Sequence, residues 1–123
     1  MARHMRRYLD LLGVPCEIWS RSDAPQIALD QRLVGSTHIL LLISDCAIEP
    51  FIREHPYLGA DGRRVVHFSG ALSTRSAWSA HPLMTFAAEL YPRALYERIA
   101  FVVEAGGPSL EELLPGLPNR SHR

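Results

Sequence analysis

Apolar residues at helical spacing open the chain. Ala2, Met5, Leu9 and Leu12 fall on one face and Arg3, Arg6, Arg7 and Asp10 elsewhere, which predicts a helix over residues 2–12. Gly13 is a suitable C-terminal stop. A short strand is expected over 16–19 after Pro15, then a loop over 20–23 and a weak helix or turn over 26–33 before Gly35. Residues 38–43 form a nearly continuous apolar run, the pattern of a strand covered on both faces. Ser44 and Asp45 end that run, and 47–54 reads as a short helix with Pro50 in its first turn. Asp61 and Gly62 mark a turn. Further strands are expected over 64–68, 77–80 and 99–104, with a helical turn over 110–114. From Pro115 onward the chain is rich in Pro and Gly and has no periodicity. Strands alternating with helices predict an α/β fold with a mainly parallel sheet.

Length and composition narrow the class. At 123 residues the chain is one domain at most, with 47% hydrophobic and 21% charged residues, as in ordinary globular proteins. Its formal net charge is zero, so no nucleic-acid partner is expected. All 13 basic residues are Arg, so no lysine is present to act as general acid, Schiff base or phosphate ligand. The apolar run at 39–43 is far too short to span a bilayer, and no apolar signal core follows the basic N-terminus. A cytoplasmic location without membrane contact is the expectation. Cys16 and Cys46 fit neither a zinc motif nor a disulfide framework and are expected to be buried free thiols. His4, His38, His55, His67, His81 and His122 are scattered without ligand spacing, so no metal site is expected.

Chemistry concentrates in two segments. Val65, Val66, His67 and Phe68 run into the small-residue turn Ser69–Gly70–Ala71, and the next strand ends on His81–Pro82. Strand C-termini in parallel sheets are where ligands bind, and small side chains let a ligand approach backbone amides. Histidine is the side chain best suited to proton transfer near neutral pH. His81 and Ser69 are therefore the catalytic candidates. His67, Ser69, Gly70 and Ala71 are the candidates for substrate binding. The two histidines have plainer alternatives: His67 as a hydrogen-bonded core residue, His81 as a residue that fixes a turn before Pro82. Ser69 is not read as a nucleophile, because F-S-G-A is not the G-x-S-x-G of a nucleophile elbow.

The S-G-A-L at 69–72 followed by H-P-L-M-T-F at 81–86 resembles the S-G-A-L…H-P-L-Q-T-F signature of a Rossmann-like oxidoreductase family that carries a C-terminal domain of unknown function. That family is related in fold to pyrroline-5-carboxylate reductase and the 6-phosphogluconate dehydrogenase group. The resemblance covers nearly the whole chain. It implies an NADP-dependent oxidoreductase acting on a small, carboxylate-bearing substrate. Aligned this way, Ala2 takes the last small position of the dinucleotide fingerprint, and the first strand and Gly-rich loop are lacking. Residues 1–114 then form a partial Rossmann-like dinucleotide-binding domain. Residues 115–123 become a tail leading to a C-terminal helical domain that the sequence does not contain and through which a homodimer could form. Ser20, Arg21 and Ser22 fall where an Arg accommodates the 2′-phosphate of NADP; the alternative is a solvated Arg in a polar loop. Ser44 and Asp45 fall where the pyrophosphate and nicotinamide ribose pass the backbone; the alternative is capping of the following helix. A non-catalytic nucleotide-binding or structural module is the second functional reading, since fold alone does not separate the two.

Overall fold

The computed structural model describes residues 1–22 and 26–123; Asp23 of the expected loop lies outside the described residues. Strand β2 (Arg64–His67) points its side chains alternately to the two faces of the sheet. Val65 packs on one face with Leu41, Ile48, Phe51, Leu58 and Ala77. Val66 packs on the other with Met5, Tyr8, Phe68, Ala80, Tyr96, Phe101 and Leu113. β2 is flanked by two parallel neighbours, β1 (His38–Leu41) and β3 (Trp78–Pro82). β4 (Phe101–Val103) runs antiparallel to β3, and β5 (Ser121–His122) parallel to β4. The five strands lie in chain order, giving a mixed, mainly parallel α/β sheet.

The α-helices among the described residues are α1 (Ala2–Leu11), α2 (Gln26–Arg32), α3 (Asp45–Glu54), α4 (Arg93–Glu97) and α5 (Leu110–Leu113). α1 ends as its sequence predicts: Gly13 adopts φ +72°, and the amides of Gly13 and Val14 return to the carbonyls of Asp10 and Leu9. Its buried face is polar as well as apolar. The Tyr96 hydroxyl accepts from the Tyr91 amide and donates to His4 Nδ1, while His4 Nε2 donates to the Ala87 carbonyl. Residues 115–123 are held against the body. Leu117 is buried, and Asn119 donates to the carbonyls of Tyr96 and Ile99 while accepting from the Tyr8 hydroxyl.

Several expectations need correction. Residues 16–19 form no strand: Cys16, Glu17 and Ile18 are exposed and have no ladder partner among the described residues, and Trp19 turns inward against Phe51. The apolar run at 38–43 gives a strand paired on one side only, so His38, Ile39 and Leu40 are half-buried and Leu41 alone is fully covered. α3 starts two residues earlier than expected, at Asp45. Pro50 therefore sits in its interior, where the missing amide forfeits the bond to the Cys46 carbonyl. Both cysteines are exposed free thiols, Cys46 on the first turn of α3 and Cys16 on the irregular segment. No helix among the described residues is long and apolar enough to cross a membrane.

Candidate functional site

β3 begins beside the end of β2, with Val66 opposite Trp78 and His67 opposite Ser79. Its last three residues therefore run past β2 and flank the turn at 69–71. That offset brings the two chemistry-bearing segments together at the C-terminal edge of the parallel strands.

Ser69 organises the turn. Its hydroxyl donates to Asp45 Oδ2 at 2.7 Å and accepts from the amides of Leu72 (3.0 Å) and Ala71 (3.2 Å). The one proton and both lone pairs are thus engaged, and the side chain is buried. Ser69 shapes the site; its oxygen is not presented to a ligand. Its carbonyl accepts from the Ser79 hydroxyl at 2.7 Å, and the Ser79 amide donates to Glu104 Oε2 at 3.0 Å. The first residue of α3, the start of β3 and the residue after β4 are tied to this one turn.

His67 is fully buried. Nδ1 accepts from the Ser69 amide at 3.2 Å, so the neutral ring carries its proton on Nε2. That Nε2 is buried and has no partner among the described residues, at a cost of about 1–3 kcal/mol. Burial pushes the His67 pKa below its ordinary value, with the Glu104 and Asp45 carboxylates pulling the other way. Only half of the core alternative is met: one ring nitrogen is bonded and the other is not.

His81 is half-buried on β3. Nδ1–H donates to the Phe68 carbonyl at 3.1 Å, which fixes the tautomer and leaves the Nε2 lone pair without a partner among the described residues. The ring lies against Gly70. A Cβ on that residue would stand 2.8 Å from both Nε2 and Cδ2, closer than real Cβ contacts come. Glycine is needed at position 70 for space. His81 sits within strand β3, which ends at Pro82. Gly70 and Ala71 are exposed beside it.

The residues assigned to the cofactor do not converge. Arg21 pairs with Glu54 at 3.4 Å and lies 5.9 Å from the centroid of the Phe51 ring, while Ser20 and Ser22 share a hydroxyl contact at 3.0 Å. Glu54 closes α3 and Asp45 opens it, so Arg21 and Asp45 are separated by the length of that helix, about 14 Å. Ala2 is exposed at the start of α1, whose next residues, Arg3 and His4, bond to the carbonyls of Ala88 and Ala87. The capping alternative for Ser44 and Asp45 also fails. Ser44 contacts only Cys46 Sγ at 3.6 Å, Asp45 turns to Ser69, and neither side chain caps α3. Residues 20–22 and 44–45 thus lie towards opposite ends of α3. The exposed Arg21–Glu54 pair is weak in itself.

Ser79 and Glu104 belong to the site although no local motif marks them. Glu104 faces this edge only because β4 runs antiparallel to β3, a pairing that its own sequence does not encode. Among the described residues no three His, Cys, Asp or Glu side chains come together as metal ligands. No protein-family model matches the chain, and neither a curated protein nor a solved structure matches it.

Two outcomes are expected. Because the His67 pKa is lowered on folding, the unfolded chain takes up that proton first as the solution is acidified. The contribution of His67 to stability is complete above about pH 6.5 and is lost as pH falls below that value towards the folded pKa. Urea unfolding between pH 7.5 and pH 5 is expected to show a steeper loss for the natural chain than for His67→Gln; parallel profiles would remove His67 from the account. Gly70→Ala is expected to displace the His81 ring and break its bond to Phe68, read as a changed His81 ring signal in NMR. An unchanged signal would show that the turn yields instead.

Proposed function

We propose that this strand edge is the substrate-handling part of an NADP-dependent oxidoreductase of Rossmann-like architecture, acting on a small carboxylate-bearing molecule. The observation that carries the reading is His81: an imidazole held by Phe68, laid on a glycine, with Nε2 free at the C-terminal edge of three adjacent parallel strands. Ligands of open α/β sheets bind at such edges, and β1, β2 and β3 follow one another as strands do on one side of a doubly wound sheet.

In the oxidation direction Nε2 takes the proton of a substrate hydroxyl, and the Phe68 carbonyl steadies the resulting imidazolium through Nδ1–H. In the reduction direction the same nitrogen returns the proton to the forming alkoxide. The exposed backbone at Gly70 and Ala71 lets the substrate come close, and Ser69 keeps that backbone in place. A nicotinamide cofactor, when bound, would accept the hydride in oxidation as NADP⁺ and supply it in reduction as NADPH; the backbone at Ser44 and Asp45 borders the same edge. A second reading, a module that binds without catalysis, draws on the engagement of the Ser69 hydroxyl and the enclosure of His67, which leave His81 as the one side chain of the three free to act.

The test is consumption of NADPH by the protein with a panel of 2-oxo acids. His81→Ala is expected to lower kcat by about 10²–10⁴-fold with melting temperature and NADP affinity nearly unchanged. NADP binding with no turnover on any member of the panel would favour the module. A fall in melting temperature without a fall in rate per folded molecule would return His81 to a structural role.

A further inference from the structure

The opposite edge of the sheet, where β2 and β3 begin, carries a cleft of about 320 Å³ lined by Arg63, Arg64, Arg75, Ser76 and Trp78. Its three guanidinium groups are unequally compensated. Arg63 Nε and Nη2 donate to the carbonyls of Leu58 and Tyr57 at 3.0 and 2.8 Å, neutral acceptors that satisfy the donors without cancelling the charge. The Arg63 side chain is only 10% exposed, and the carboxylate paired with it, Asp61 Oδ2, is 3.8 Å from Nη1 on a side chain 90% exposed. A solvated partner at that range contributes little. Arg64 pairs with Glu112 at 3.2 Å, both half-exposed. Arg75 is exposed and has no ion pair or hydrogen bond among the described residues. No carboxylate belongs to the lining.

One wall is aromatic and fixed. A Cβ on Gly107 would stand 2.7 Å from Trp78 Cζ3, so the indole is braced against that backbone, while Trp78 stays partly exposed and lines the cleft.

We propose that this cleft binds a mononucleotide, its phosphoryl group between Arg63 Nη1 and Arg75 and its base on Trp78. A phosphate fits better than a carboxylate, because its three terminal oxygens accept from two guanidinium forks at once. The indole offers a flat surface on which a base stacks without regard to its identity. The site is separate from the His81 edge and does not rest on the oxidoreductase reading.

Calorimetric titration of the full chain with inorganic phosphate and with adenosine monophosphate tests this. Both are expected to bind, the nucleotide more tightly. Arg75→Ala is expected to weaken each about tenfold or more, and Arg75→Glu to abolish both. Arg75 has no hydrogen bond or ion pair among the described residues, so these variants are expected to keep their melting temperature, which substitution of the anchored Arg63 would not. Trp78→Leu is expected to weaken the nucleotide alone. Absence of saturation by either ligand in the millimolar range, or equal affinity in Arg75→Ala and the natural chain, overturns the site. Phosphate bound as tightly as the nucleotide overturns the part given to Trp78.

Discussion

Strand β2 is covered on both faces, and burial continues without a break from Val65 through Ser69. Polar groups in such a stretch have no water to turn to and must be satisfied by the chain itself. His67 and Ser69 are the two polar side chains caught there, and the local geometry follows from how they are accommodated. Ser69 is satisfied completely, by a carboxylate on α3 and two amides of its own turn. His67 is satisfied on one nitrogen. The constraint thus converts the end of a buried strand into a rigid corner, and His81 is held against that corner through the Phe68 carbonyl and the space left by Gly70.

The charge pattern around the corner has a definite logic. Asp45 and Glu104 reach it from different elements, each engaged by a neutral donor, the Ser69 hydroxyl and the Ser79 amide. Neither carboxylate forms an ion pair among the described residues. Both favour a charged His67, yet desolvation outweighs them, since the imidazole is enclosed and the carboxylates spend part of their field on other donors. The corner therefore keeps a neutral imidazole beside two negative groups, a balance that would shift if either hydrogen bond were lost.

Much of the architecture was legible in the pattern of apolar residues, because strands β2, β3 and β4 and helix α1 each carry a period that their burial then uses. The segment at 16–19 was misread for a physical reason: Cys16, Ile18 and Trp19 look like a strand, but a strand needs a ladder, and none is offered. α4 and β5 were not anticipated, since five and two residues carry too little periodicity to be seen. The turn at 69–71 and His81 were visible as a pair, as small residues and imidazoles at strand ends. The identity of their partners was not, because Ser79 and Glu104 depend on strand pairing that spans 25 residues. Arg21 reads as a phosphate ligand from its place after an expected strand; with that strand absent, it lies at the far end of α3.

The two faces of the sheet differ in how they are drawn from the chain. The face bearing Leu41, Ile48 and Val65 is assembled from residues between Leu29 and Ala77, with links such as Asp45 to Ser69 over 24 positions. The face bearing Met5, Tyr8 and Tyr96 joins segments as far apart as Tyr8 and Asn119, over 111 positions. Extending a closure from 24 to 111 residues adds only about 1.4 kcal/mol of chain entropy, yet it must be met before the distant contacts can repay it. The β1–α3–β2 unit thus closes over short loops and α1 only over long ones, so α1 amides are expected to exchange ahead of those of β2.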